Sequence, residues 1–166
     1  MRSTAAFQDA YPDDVAHCYG CGRLNEHGHR LKSRWEGEQT VARFTPEAYH
    51  TAIPGYVYGG LIASLIDCHG TGTAAAVAAR SAGYRLGEDP VPPDQQAPRY
   101  VTASLHVDYL APTPLGPELT VRGVVEDAGE EKGSRKVVTS ITVEAEGKVT
   151  AKGRVVAVRM PESMIR

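Results

Sequence analysis

The order of apolar and polar positions divides the chain into three stretches. Residues 1–30 hold no sustained period and are rich in turn formers, which predicts an irregular N-terminal arm. Leu31 to Trp35 and Thr40 to Phe44 are short strand-like runs, separated by the turn-prone Glu36-Gly37-Glu38. A loop ending in Ile53-Pro54-Gly55 follows. From Gly59 to about Arg80 the period changes: Leu61, Ile62, Leu65 and Ile66 recur at i, i+1, i+4 and i+5 and predict one apolar helix face. The alanine-rich stretch from Ala74 to Ala79 extends it with strong helix formers. Gly70 and Gly72 weaken the middle, which predicts a kink or a close backbone contact, and the helix is expected to end near Gly83.

Residues 84–98 carry four prolines and read as a loop longer than a connector needs. The remainder is β in character. Tyr100 to Leu110 alternates, with Val101, Ala103, Leu105, Val107 and Tyr109 on one face and Thr102, Ser104, His106 and Asp108 on the other. Leu119 to Glu126, Arg135 to Glu144 and Val149 to Met160 are further strands, and Glu146-Gly147 forms a hairpin turn between the last two. Two strands, one long helix and four strands, without a βαβα rhythm, exclude a Rossmann-type sheet. They predict an α+β chain in which one helix lies against a curved antiparallel sheet of about six strands. That is the hotdog arrangement, here over residues 31–162.

Composition adds boundaries rather than detail. The 166 residues suffice for one core without metals or disulfides, and 42% hydrophobic with 23% charged residues is ordinary for a globular domain. A formal net charge of −2 offers no basic excess for nucleic acid. No apolar run reaches the eighteen or so residues of a membrane span, and the N-terminus lacks the apolar segment of a secretory signal. Three cysteines cannot form a complete disulfide framework, so a reducing, cytoplasmic setting is expected.

The segment Tyr58-Gly-Gly-Leu-Ile-Ala-Ser-Leu-Ile-Asp67 resembles the His-Gly-Gly…Asp motif of the hotdog acyl-CoA thioesterases of the PaaI-like (phenylacetyl-CoA thioesterase) type. Residues 102–116 look like that family's strand and proline turn. Cys18-Tyr-Gly-Cys-Gly-Arg-Leu-Asn25 is similar to the N-terminal arm of one subgroup. The likeness covers nearly the whole chain. It departs at Tyr58, where the family typically has His, and at Ala52, where several members carry Asn. The resemblance implies acyl-CoA hydrolysis by a homo-oligomer, typically a dimer that pairs again. It implies an oxyanion donor at the N–H of Gly59, a catalytic carboxylate at Asp67 and a helping hydroxyl at Thr102. Coenzyme A would enter as part of the substrate, and no separate cofactor is implied.

The residues support this chemistry independently. A helix N-terminus offers unpaired N–H groups at the positive end of the dipole, and Gly59 and Gly60 would let a carbonyl approach them closely. Asp67 follows Leu65 and Ile66 in an apolar helix, where a carboxylate costs several kcal/mol unless it is satisfied. Eight residues separate Gly59 from Asp67, roughly 12 Å along a helix, too far for both to act on one carbonyl. Two antiparallel helices across a two-fold axis would bring Gly59 of one subunit to Asp67 of the other. Asp67 would serve as general base or as nucleophile; spacing does not separate the two.

Other candidates are weaker. Cys18-x-x-Cys21 with His27-x-His29 could hold zinc, but the His-x-His spacing is short, and a glycine-supported turn without metal is expected. His69 should not share a face with Asp67 and reads as structural. His50 reads as a surface residue near the cleft. Arg99, Lys132, Arg135 and Lys136 are candidates for the phosphates of coenzyme A. No Gly-x-Ser-x-Gly elbow occurs. Two readings compete with hydrolysis: a non-catalytic acyl-thioester binder, and a dehydratase or hydratase of the same fold, which would need a histidine beside the acid.

Overall fold

Turn chemistry closes the two tightest hairpins of the sheet. In a computed structural model describing residues 5–129 and 134–165, β1 (Ser33–Glu36) and β2 (Gln39–Phe44) join through Gly37 at φ 62°. Farther on, β5 (Lys136–Ala145) and β6 (Lys148–Arg159) join through Glu146 and Gly147, at φ 53° and 78°. Two successive positive φ values match the twist that a two-residue hairpin loop must supply. Between these hairpins lie the helix α1 (Gly59–Ser81), β3 (Tyr100–Tyr109) and β4 (Leu119–Asp127). All neighbouring strands are antiparallel, in the order β1-β2-β4-β5-β6-β3. One long helix packed on a six-stranded antiparallel sheet is the hotdog fold.

The helix is more deeply enclosed than its sequence pattern suggests. Every residue from Cys68 to Ala79 is buried, so the single apolar face holds only for the first turns. The sheet covers one side and the N-terminal arm the other. Gly70 is a point of close approach, since a Cβ there would lie 2.6 Å from the Val155 side chain on β6. The sequence expectation about membrane spans needs correcting: α1 is long and apolar enough to cross a bilayer, but 83% of its apolar stretch is buried inside the fold. Its surface is already committed to the protein's own sheet.

The arm belongs to the core. It contains two short 3-10 turns, Phe7–Ala10 and Asp13–Val15, and buries Phe7, Gln8, Tyr11, Ala16 and Cys21. Gln8 accepts the Ser33 N–H at 2.9 Å and donates to Ser33 Oγ at 3.2 Å. Ser33 Oγ meets His69 Nδ1 at 2.9 Å, and His69 Nε2 meets Thr40 Oγ1 at 3.1 Å. Thr40 continues to Thr73 at 2.6 Å. This buried relay ties the arm and the first hairpin to the helix while satisfying polar groups that would otherwise cost stability. The 84–98 loop is also anchored: Tyr84, Leu86 and Ala97 are buried, and Arg85 with Arg80 faces the Trp35 ring at 4.9 and 4.8 Å.

One strand departs from simple alternation in a way that matters for the site. Between Thr102 and Ser104 the pairing of β3 with β6 shifts by one residue, a β-bulge at Ala103. Thr102 pairs with Ala157, Leu105 with Val155, Val107 with Gly153 and Tyr109 with Ala151. Paired residues share a face, and the buried Ala157, Val155 and Ala151 look toward the helix. Strict alternation would put Thr102 on the opposite face from Leu105 and Tyr109. The bulge brings all of them to the helix side.

Candidate active site

Ahead of its exposed last residues, Arg80 and Ser81, the uncovered part of α1 is a narrow strip. Gly59, Gly60, Ala63, Ser64 and Asp67 are the half-buried residues of the helix, and their three- and four-residue spacing places them on one face. The strip begins at the helix N-terminus and ends at the carboxylate, roughly 12 Å away by the helical rise. β3 borders it.

At its far end stands Asp67. Thr102 Oγ1 donates to Asp67 Oδ1, a contact made possible by the bulge. Burial pushes the Asp67 carboxyl above the ordinary carboxylate range. The Thr102 hydroxyl pulls it back, charge on Cys18 adds to the rise, and the Arg99 guanidinium opposes it. A partly desolvated carboxylate oriented by one hydroxyl is suited to take a proton from water or to attack a carbonyl directly. Among the described residues no histidine bonds to Asp67, whose hydrogen-bond partner is a threonine.

At the near end Tyr58 caps the helix with its backbone only, since its side chain makes no cap hydrogen bond. The N–H groups of Leu61 and Ile62 turn back to Tyr58 O at 3.1 and 3.5 Å. Those of Gly59 and Gly60 have no acceptor among the described residues, and they lie at the positive end of the dipole. Two tyrosines close in on the glycine pair. The Tyr58 ring folds over Gly60, where a Cβ would fall 2.3 Å from Cζ, so any side chain there would displace the ring. Tyr109 Oη donates to Gly59 O at 2.7 Å and its ring lies 3.4 Å from the Cβ position of Gly59. Tyr109, one of the alternating strand positions in the sequence, thus borders the candidate site. Its only sequence signal is an aromatic at the end of the strand preceding the proline turn.

Beside this terminus opens a groove of about 550 Å³, bordered by Ile53, Tyr56, Val57, Gly59, Ile62 and Tyr109 among others. Its size suits a small-molecule segment, and its lining is largely apolar.

Other candidate residues stand elsewhere. His69 is fully buried in the polar relay, and burial lowers its pKa to about 4. His50 accepts the Glu47 N–H at Nδ1 and packs its ring against His29, Phe44 and Tyr49. Arg99 is not free to reach for a phosphate: its guanidinium lies 4.7 Å over the Tyr11 ring and donates to Tyr100 O and Val15 O. Arg135 and Lys136 are exposed, and Lys132 falls outside the described residues. The pairing of Cys18 and Cys21 with His27 and His29 does not form. Instead Cys68, the residue after Asp67, joins Cys18 and Cys21, with the three sulfurs within 4.8 Å of one another.

Residues 54–152 match the family model described as the thioesterase superfamily. The chain belongs to that superfamily. Membership makes thioester hydrolysis its general chemistry. A thioesterase superfamily protein from Shewanella loihica PV-4 is 48% identical, over 90% of this chain and 98% of that one, with a TM-score of 0.64. The fold is shared with a phenylacetic acid degradation-related protein from Ralstonia eutropha JMP134, at 14% identity over 78% of this thioesterase and 85% of that chain, TM-score 0.58. A thioesterase protein with coenzyme A from Streptococcus pneumoniae TIGR4 is also 14% identical, over 78% and 88% of the two chains, TM-score 0.58. Among curated proteins none matches the chain in sequence.

Proposed function

We propose that the protein hydrolyses acyl-CoA thioesters to the free acid and coenzyme A, as a homo-oligomer whose sites form between subunits. Asp67 acts as general base or nucleophile, and the free N–H groups of Gly59 and Gly60 of the opposite subunit receive the thioester oxygen as it gains charge. Thr102 orients the carboxylate, while Tyr58 and Tyr109 fix the glycine backbone that carries the donors. The observation that carries this reading is the half-exposed helix strip with unpaired donors at one end and an oriented, desolvated carboxylate at the other.

Several features support the details. Related by a two-fold axis, the two strips would superpose head to tail and bring each Gly59 to the partner's Asp67. β3 is an edge strand of the sheet, and Leu105, Tyr109 and the following Leu110 are exposed; a second copy would cover this hydrogen-bonding edge. Such dimers of this type pair again, giving a tetramer. The groove beside Gly59 would take an apolar segment of the substrate. Coenzyme A as the thiol component agrees with the Streptococcus pneumoniae relative. Three free cysteines fit a reducing, cytoplasmic setting.

Thiol release from a panel of phenylacetyl, benzoyl and straight-chain acyl-CoA substrates tests the proposal, with wild type against Asp67→Asn. A loss of about a hundredfold or more in a variant that keeps its oligomeric state is expected. The Tyr58 ring over Gly60 favours one competing reading, a binder that holds acyl-CoA without turnover. Wild-type binding with no thiol release on any substrate would select it.

A further inference from the structure

The mechanism above uses none of the three cysteines, yet the fold gathers all of them. Cys18 and Cys21 come from the arm and Cys68 from the middle of α1, and the three sulfurs lie within 4.8 Å of one another. We propose that Cys18, Cys21 and Cys68 bind a zinc-class divalent cation as three thiolate ligands, with the fourth tetrahedral position going to water. A zinc–sulfur bond of about 2.3 Å and tetrahedral angles require sulfurs about 3.8 Å apart. Cys18 Sγ and Cys68 Sγ already stand 3.8 Å apart. The other pairs, at no more than 4.8 Å, need to close by an ångström or less.

The loop carrying the first two ligands is shaped around sulfur. In Cys18-Tyr-Gly-Cys-Gly22 the chain doubles back, with Gly22 N–H donating to Cys18 O at 2.7 Å. The N–H groups of Gly20 and Cys21 point to Cys18 Sγ. Donors aimed at a sulfur favour a thiolate over a thiol. Gly20 is where the loop presses on the helix: a Cβ there would sit 2.3 Å from Cys68 Sγ. Only a residue without a side chain lets the arm bring its two cysteines down to the third.

Charge is balanced locally as well. Three thiolates around a divalent ion leave one net negative charge. The Arg99 guanidinium, held by Val15 O and Tyr100 O against the Tyr11 ring, supplies one positive charge in the electrostatic field of all three cysteines. The Tyr11 hydroxyl is buried without a hydrogen-bond partner among the described residues, and it lies in the same field. The ion would join residues 18–21 to residue 68 and pin the arm across the helix one residue beyond Asp67. Its binding energy would be folding energy.

Zinc content decides the matter independently of any thioesterase assay. The full chain, expressed with zinc and purified under reductant without an affinity tag, should carry about one zinc per chain by atomic emission. Replacement with Co2+ should give sulfur-to-cobalt charge transfer in the near ultraviolet and the strong visible bands of a tetrahedral site. Cys18→Ser and Cys68→Ser should fall to background, while His29→Ala keeps the metal. If the serine variants do not fold, the wild-type cobalt spectrum decides alone. Protein that stays metal-free with three titratable thiols and shows no cobalt charge transfer overturns the site. So does a disulfide between any two of the cysteines in protein isolated from a reducing cytoplasm.

Discussion

The proposed split of the active site between subunits has a quantitative consequence. Gly59 and Asp67 sit at opposite ends of one strip, roughly 12 Å apart by helical rise, so one chain cannot bring both to one carbonyl. Gly59→Pro removes the donor without breaking the helix start, though its ring also comes against Tyr109, 3.4 Å from the Gly59 Cβ position. Gly59 is the first helical residue, where proline is favoured, and Tyr58 at φ −59° and ψ 128° already has the backbone that a residue before proline prefers. Loss of one oxyanion donor costs about 10²–10³ in kcat, and Asp67→Asn should cost about as much by removing the base. Each variant alone is then nearly inactive. Mixed in equal amounts and allowed to exchange subunits, half of the dimers become hybrids. In each hybrid one site combines both lesions and the other combines Asp67 with Gly59 intact. Activity should therefore recover to about a quarter of wild type, tens of times above either parent. Thiol release at saturating substrate measures it, with differently tagged chains confirming exchange. No recovery after demonstrated exchange would refute the shared site. A fully active Gly59→Pro would refute the donor role.

Other perturbations probe the neighbouring contacts. Thr102→Val removes the hydroxyl that stabilises the charged form of Asp67, so its pKa rises further. The acid limb of kcat/KM should move to higher pH, with kcat falling more than KM changes; an unmoved limb would separate Thr102 from the carboxylate. His69 is held neutral by burial, its pKa falling from 6.5 to about 4. Because the folded value lies below the unfolded one, its contribution is complete above pH 6.5 and is lost as pH falls toward 4, by about 3 kcal/mol at 1.36 kcal/mol per pKa unit. Urea midpoints between pH 7 and 4.5 should therefore drop less steeply in His69→Gln than in wild type. Gly70→Ala gains helix propensity of roughly 1 kcal/mol but drives a Cβ to 2.6 Å from the β-branched Val155. Overpacking of about 1–3 kcal/mol should prevail, and a raised melting temperature would show that the strand yields.

Sequence by itself determined the elements and their order. Period and turn chemistry placed α1, the two short first strands and the Glu146-Gly147 turn, because these depend on spacing and on the φ values that local residues tolerate. The family motif also lay within one continuous helix, so the rise between Gly59 and Asp67 could be counted from the residues alone. Tertiary structure decided what local spacing does not encode. The bulge at Ala103 depends on how β3 meets β6, and it alone moves Thr102 to the face of Asp67. Tyr109 reaches the Gly59 carbonyl from a residue fifty positions away. Burial of α1 on all sides from Cys68 to Ala79 follows from the arm lying opposite the sheet, which no single-helix pattern reveals. Cys68 completes the cysteine cluster for the same reason: it is adjacent to Asp67 in the chain, yet only the folded arm brings Cys18 and Cys21 to it. Contacts between distant segments depend on the packing of whole elements, and a linear pattern records only the faces those elements offer.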